Sequence, residues 1–183
     1  MIPSGCYAPA DIPQQWRELL LLIPGYDAIK TAPDGCWFNP ELAQRAIDFF
    51  PRYLRHVEGD CAGNPFVLEP WEQAIVACMF GWQTTDDRGR VIRRYWEVFI
   101  YIPRGNGKTA LLAGICVFTL LCDGEPGAQI YGAASERDQA TLLFRHAKGM
   151  IEQSPELSKR CTIYVSHRSI VLKKDAASSY KVL

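Results

Sequence analysis

The chain is short of the features that mark several protein classes. It carries no net charge, with 20 Lys and Arg against 20 Asp and Glu. Its longest apolar run, Ala110 to Cys122, is broken by Gly114 and Thr119 and falls short of the roughly 20 residues a membrane-spanning helix needs, so it reads as a buried helix. The seven cysteines (6, 36, 61, 78, 116, 122 and 161) form no C-x-x-C pair, and the three histidines (His56, His146, His167) have no partner at metal-ligand spacing. A zinc framework and a disulfide scaffold are thereby excluded, and reduced, mostly buried thiols in a reducing cytosolic compartment are expected. No Ser-His-Asp or H-E-x-x-H arrangement is present. Met1 to Pro13 is proline-rich and lacks the basic start and apolar core of a signal peptide. There is no internal repeat and no low-complexity tract.

What is present suits a soluble globular domain: 183 residues, 48% hydrophobic and 11% aromatic, enough for a sizeable core. The charge is unevenly placed. Residues 1–87 hold 5 basic against 12 acidic side chains, and residues 88–183 hold 15 against 8. The basic half suits contact with nucleotide or nucleic acid, although a solvated face with one basic patch has the same signature.

Local signals divide the chain into elements. Trp16 to Ile23 is a short apolar helix stopped by Pro24-Gly25, and Asn39-Pro40-Glu41 opens a helix running toward Val57, with Pro51 kinking or restarting it. Glu69 to Phe80 is the next helix. The period then changes. Tyr95 to Ile102 (YWEVFIYI) is aromatic and β-branched throughout, as in a strand covered on both faces. Ala110 to Cys122 is helical, Ala128 to Ala133 extended, and a helix capped by Ser135 covers about 136–153. Thr162 to Val165 and Ser169 to Lys173 flank a His167-Arg168 turn, and a further extended segment reaches Leu183. Strands alternating with helices predict an α/β fold with a mainly parallel sheet.

Three segments carry chemistry. Tyr101 to Thr109 (YIPRGNGKT) joins the expected strand to the expected helix, the geometry that aims free N–H groups and a helix dipole at an anion. Gly105 and Gly107 allow close backbone approach, Asn106 lies between them, Lys108 reaches β/γ-phosphates, and Thr109 supplies a hydroxyl for Mg²⁺. The loop departs from G-x-x-x-x-G-K-[ST], with Ile102 where the first glycine belongs. Arg104 either stabilises phosphate charge from within the loop or is a solvated cation beside it. Upstream, Phe66 to Gln73 (FVLEPWEQ) offers Trp71 for stacking and the Gln73 amide for an adenine edge, while Trp71 is equally placed to be core. Downstream, Tyr131 to Ala140 (YGAASERDQA) reads as a phosphate-gripping helix start or as a well-capped strand-to-helix turn.

Taken together, these motifs resemble the ATPase domain of the large subunit of tailed-phage terminases, in the HK-type branch of the family. FVLEPWEQAIVACMFGW (66–82) is similar to the adenine-side motif, and YIPRGNGKTALLAGI (101–115) to the deviant Walker A with its Pro-Arg lead. YGAASERDQATLLF (131–144) and SSYKVL (178–183) resemble the segments after the second strand and before the Walker B strand. The resemblance implies a P-loop NTPase of RecA/ASCE type, a three-layer sandwich preceded by an N-terminal helical segment (1–60), with 61–183 a partial ATPase domain. It implies ATP and Mg²⁺ as cofactors, Lys108 and Arg104 in catalysis, and Gly105, Asn106, Gly107, Lys108, Thr109, Trp71 and Gln73 around the nucleotide. Thr109 would be the Mg²⁺ ligand, and Gln139 and Arg137 would face DNA or motor coupling. The implied partners are double-stranded DNA, the portal protein, the terminase small subunit and further copies of the chain, in the cytoplasm of a bacterial host and away from any membrane. Gly105 stands where the family usually has Lys. No apolar strand ending in Asp-Glu follows the loop, and no nuclease acidic cluster is present, so a C-terminally truncated fragment is expected. A helicase-like translocase and a non-catalytic binding remnant are the other readings.

Overall fold

The structure is a computed structural model that describes every residue except Met1, Arg104, Glu125, Ser135 and Glu136, and all described side chains except that of Arg137. The chain divides into two compact units: Met1–Asp48 with Val67–Tyr101, and Phe49–Phe66 with Ile102–Leu183.

The first unit is built from helices and a small antiparallel sheet. Helix α1 (Gln14–Leu20) buries Trp16 and Leu20. Strand β1 (Trp37–Phe38) leads into α2 (Pro40–Tyr53), whose first turn is capped by the Asn39 side chain accepting the Leu42 N–H at 3.1 Å. The Asn-Pro start therefore acts as the sequence implies. Helix α3 (Pro70–Gly81) begins with a capping box: Glu69 is the cap, and Glu72 accepts the Glu69 N–H at 2.9 Å. Glu72 is 4% exposed, and its burial holds the carboxyl above the usual range against the opposing effect of that backbone hydrogen bond. Strands β2 (Trp82–Thr85) and β3 (Val91–Arg93) complete the order β1-β2-β3, every pair antiparallel. An aromatic stack of Trp16, Phe38 and Trp82, with centroids 5.2 and 5.7 Å apart, fills this core. Gly81 lies against it, since a Cβ there would sit 2.5 Å from the Phe38 ring. Arg94 fastens the outgoing chain. Its guanidinium lies 4.8 Å from the Trp82 ring and donates to the carbonyls of Ala28 and Thr31.

The strand expected at Tyr95 to Ile102 is a correction. Among the described residues this run belongs to no strand, and Trp96, Phe99 and Tyr101 are 78%, 91% and 89% exposed. An aromatic run alone does not make a strand; the ladder needs a neighbour, and none of the described strands pairs with it.

The second unit takes the last turn of α2, where Pro51 is accommodated without ending the helix before Tyr53. Phe49 and Phe50, buried just ahead of it, pack against Phe118 and Phe66 at 5.2 and 5.4 Å. Helix α4 (Lys108–Cys122) is the buried helix the apolar run predicts. Gly114 faces the Phe50 ring so closely that a Cβ there would lie 2.4 Å from the ring and 3.1 Å from Leu54. Strand β4 (Gln129–Gly132), helix α5 (Arg137–Glu152) and a short helix α6 (Pro155–Arg160) follow. Strands β5 (Cys161–Tyr164), β6 (Ser169–Leu172) and β7 (Ser179–Val182) finish the unit.

These strands form one sheet in the order β4-β7-β6-β5. Only β4 and β7 run parallel, whereas β7-β6 and β6-β5 are antiparallel. The expectation of a mainly parallel sheet is corrected to a mixed one: β5 and β6 are joined by a tight turn with Arg168 at φ 45°, a connection only antiparallel strands permit. Asp175 pins the approach to β7 by accepting the Gly127 N–H at 2.8 Å and the Ser178 hydroxyl at 2.6 Å, which hold its carboxyl below the usual range. No described helix is long and apolar enough to cross a membrane.

Candidate nucleotide-binding site

The loop before α4 is shaped by its glycines. Gly105 (φ 88°) and Gly107 (φ 65°) both occupy the left-handed region, and Gly107 is the N-cap of α4. A Cβ at Gly105 would meet nothing within 4 Å, so the requirement for glycine there is conformational and not steric. With glycine as N-cap, no side chain caps α4, and the first N–H groups of a 15-residue helix remain available to an anion. Asn106 is exposed, while Lys108 and Thr109 are half-buried at the helix start. The Lys108 Nζ donates to the Ile102 carbonyl at 3.1 Å, folding the ammonium back across the loop.

Trp71 and Gln73 lie in the first unit on α3, both half-buried. The Gln73 Nε2 donates to the Leu68 carbonyl at 2.8 Å, which orients the amide and leaves its Oε1 as acceptor. Gln139 is exposed in the first turn of α5. Arg137 starts that helix, and its side chain, like the whole of Arg104, falls outside the described residues. The loop residues 105–109 are thus gathered in one unit and the two base-side candidates in the other.

Other chemistries find little support among the described residues. No group of three or more His, Cys, Asp and Glu side chains is arranged to hold a metal. No disulfide joins any of the seven cysteines, and burial pushes the thiols of Cys78 to about 12 and of Cys116 and Cys161 to about 11, far from a nucleophilic thiolate.

One titratable group escaped the sequence reading. His146 on α5 is 9% exposed, with Nδ1 lacking a hydrogen bond and Nε2 3.6 Å from Glu58, which also accepts from Arg145 at 2.9 Å. Its spacing gave no signal because Glu58 lies far away in sequence. Burial lowers the imidazole pKa, Glu58 opposes this, and Arg145 adds to it. The unfolded chain therefore takes up this proton first, so stability is present above the ordinary value of 6.5 and is lost as pH falls below it. Melting temperatures from pH 7.5 to 5.5 should decline, and His146→Gln should flatten the decline; an unchanged slope would contradict this account.

Comparison with known proteins places this geometry in a family. The family described as "Terminase large subunit, ATPase domain" matches residues 70–180. The terminase large subunit of Enterobacteria phage HK97 is 27% identical over 129 residues, covering 70% of this chain and 24% of that protein. The terminase large subunit of Lactococcus phage p2 is 26% identical over 97 residues, covering 52% of this chain and 18% of its own length. The crystal structure of the HK97 bacteriophage large terminase superposes with a TM-score of 0.61 at 26% identity, covering 77% of this chain and 27% of that one. The chain spans about a quarter of the HK97 protein it matches. With the match running through α3, the glycine loop, α4 and the mixed sheet, the chain belongs to the family of terminase large-subunit ATPase domains.

Proposed function

We propose that residues 101–109 are the phosphate-binding loop of an ATP-driven phage DNA-packaging motor. The fold in this reading is a P-loop NTPase of RecA/ASCE type, with 61–183 contributing part of the ATPase domain after the helical segment 1–60. The observation that supports it most is the pair of left-handed glycines, Gly105 and Gly107, opening an uncapped 15-residue helix inside the family match. The residues suit a nucleotide. Free N–H groups and the α4 dipole favour phosphate, and Lys108 is within reach once it releases the Ile102 carbonyl. Arg104 would add a second cation. The hydroxyl of Thr109, a half-buried residue, would hold Mg²⁺ brought by the triphosphate, whose chemistry is to neutralise developing phosphate charge.

Trp71 and Gln73 are assigned to the adenine base, with the Gln73 Oε1 accepting from the N6 amino group. Gln139 and Arg137 are assigned to coupling with double-stranded DNA. The complete protein would act as a homo-oligomer with the portal protein and the terminase small subunit in the bacterial cytoplasm.

Titration calorimetry with Mg·ATP and Mg·GTP tests the base assignment. The chain should prefer ATP, and Gln73→Ala should shrink that preference about fivefold, the worth of one hydrogen bond. An undiminished preference would remove Gln73 from the site.

A further inference from the structure

The two faces of the sheet in the second unit differ in composition. In register, Ile130, Tyr180, Ile170 and Ile163 share one face, where Tyr180 is 1% and Ile170 0% exposed. The opposite face carries the row Tyr131, Lys181, Ser169 and Tyr164, with Tyr131 57% and Tyr164 49% exposed and Lys181 exposed. A second row beside it holds Gln129, Ser179, Val171 and Thr162. Val171 is the single aliphatic side chain of these eight. A face destined for a covering layer of helices would read like the first one, so this composition points to a polar ligand.

The chemistry of the face narrows the ligand. Neither row contains Asp or Glu. Beyond its end, Lys173 donates its backbone N–H to the Arg160 carbonyl at 2.9 Å, bringing two further exposed cations to the same margin. The nearby acid, Asp175, is engaged with Ser178 and Gly127. Strands ~4.8 Å apart put Tyr131 and Tyr164 roughly 14 Å from each other with Lys181 between them. The Tyr131 hydroxyl donates to Gln129 Oε1 at 2.8 Å, which holds that ring in place.

A cation between two exposed rings, with two more cations at the margin of the same face, matches an anionic backbone whose bases are free to stack. We infer that this face, centred on Tyr131, Lys181 and Tyr164, binds single-stranded nucleic acid, with phosphates on Lys181, Lys173 and Arg160 and bases on the two tyrosines. A duplex keeps its bases stacked on one another and offers nothing for the rings. The inference stands apart from the nucleotide loop.

Fluorescence anisotropy of a labelled oligothymidylate with the full chain at low salt tests it. Binding should weaken with added salt, and Tyr131→Ala and Tyr164→Ala should each weaken it about tenfold. Tyr164→Phe should bind like the parent. Lys181→Gln should weaken binding and reduce the salt slope by about 0.7. If an alanine variant loses its native melting transition, Tyr164→Leu, which keeps the apolar bulk but not the ring, takes its place with the same expected loss. Absent binding by folded chain, unchanged affinity in the tyrosine variants, or a duplex that competes as well as the single strand would overturn the inference. Lys108→Ala should leave oligothymidylate binding unchanged, so failure here and failure of the ATP site are told apart.

Discussion

Gly107→Val should abolish measurable Mg·ATP binding while leaving the circular dichroism spectrum and melting temperature close to those of the parent. Gly107 sits at φ 65°, where an L side chain costs roughly 1–2 kcal/mol and a β-branched one more. The loop relieves that strain by rotating the peptide, which turns N–H groups at the start of α4 away from the phosphate position. Gly107 is exposed, so the damage falls on the ligand and not on the core. On the proposed reading the loss is at least a hundredfold in affinity, because several charge-assisted hydrogen bonds go together. Calorimetry that finds the parent affinity in a folded Gly107→Val chain would mean the loop does not hold phosphate through its backbone.

Phe50→Ala should cost the second unit about 3–5 kcal/mol. The ring is fully buried, meets Phe49 and Phe66 edge-on, and is the surface on which Gly114 lays the backbone of α4. Removing it leaves a cavity that the aromatic neighbours cannot close without moving α4. Gly114→Ala should also destabilise, since its new Cβ would overlap the Phe50 ring. The two changes should then compensate: with Phe50 truncated, the alanine at 114 has room, and the double variant should be more stable than the sum of the single effects. Urea denaturation followed through the loss of helical signal measures all three. Strict additivity would show that Gly114 is not seated on Phe50.

How much of this was legible in the sequence depended on whether the governing interactions were local. The Asn39-Pro40 helix start, the buried α4 and the segment around β4 could be read because caps, periodicity and glycine punctuation act within a few residues. The two loop glycines were legible for the same reason, and both do adopt positive φ. Features set by distant partners were not. Tyr95 to Ile102 has strand composition but, among the described residues, no strand pairs with it, and the small sheet of Trp37–Phe38, Trp82–Thr85 and Val91–Arg93 joins segments too short to show a period. The mixed direction of the second sheet follows from a turn at Arg168 whose conformation no motif announces. His146 is read as an ordinary histidine until folding brings Glu58 to it.

The central claim is that Lys108 and its loop hold the phosphates of ATP. Equilibrium titration of the chain with Mg·ATP, repeated with Lys108→Ala, measures this directly. The account predicts saturable binding that falls at least tenfold in the variant while the melting temperature without nucleotide is unchanged, because among the described residues the lysine's hydrogen-bond partner is a single backbone carbonyl, that of Ile102. Binding of equal strength in the two chains would contradict it.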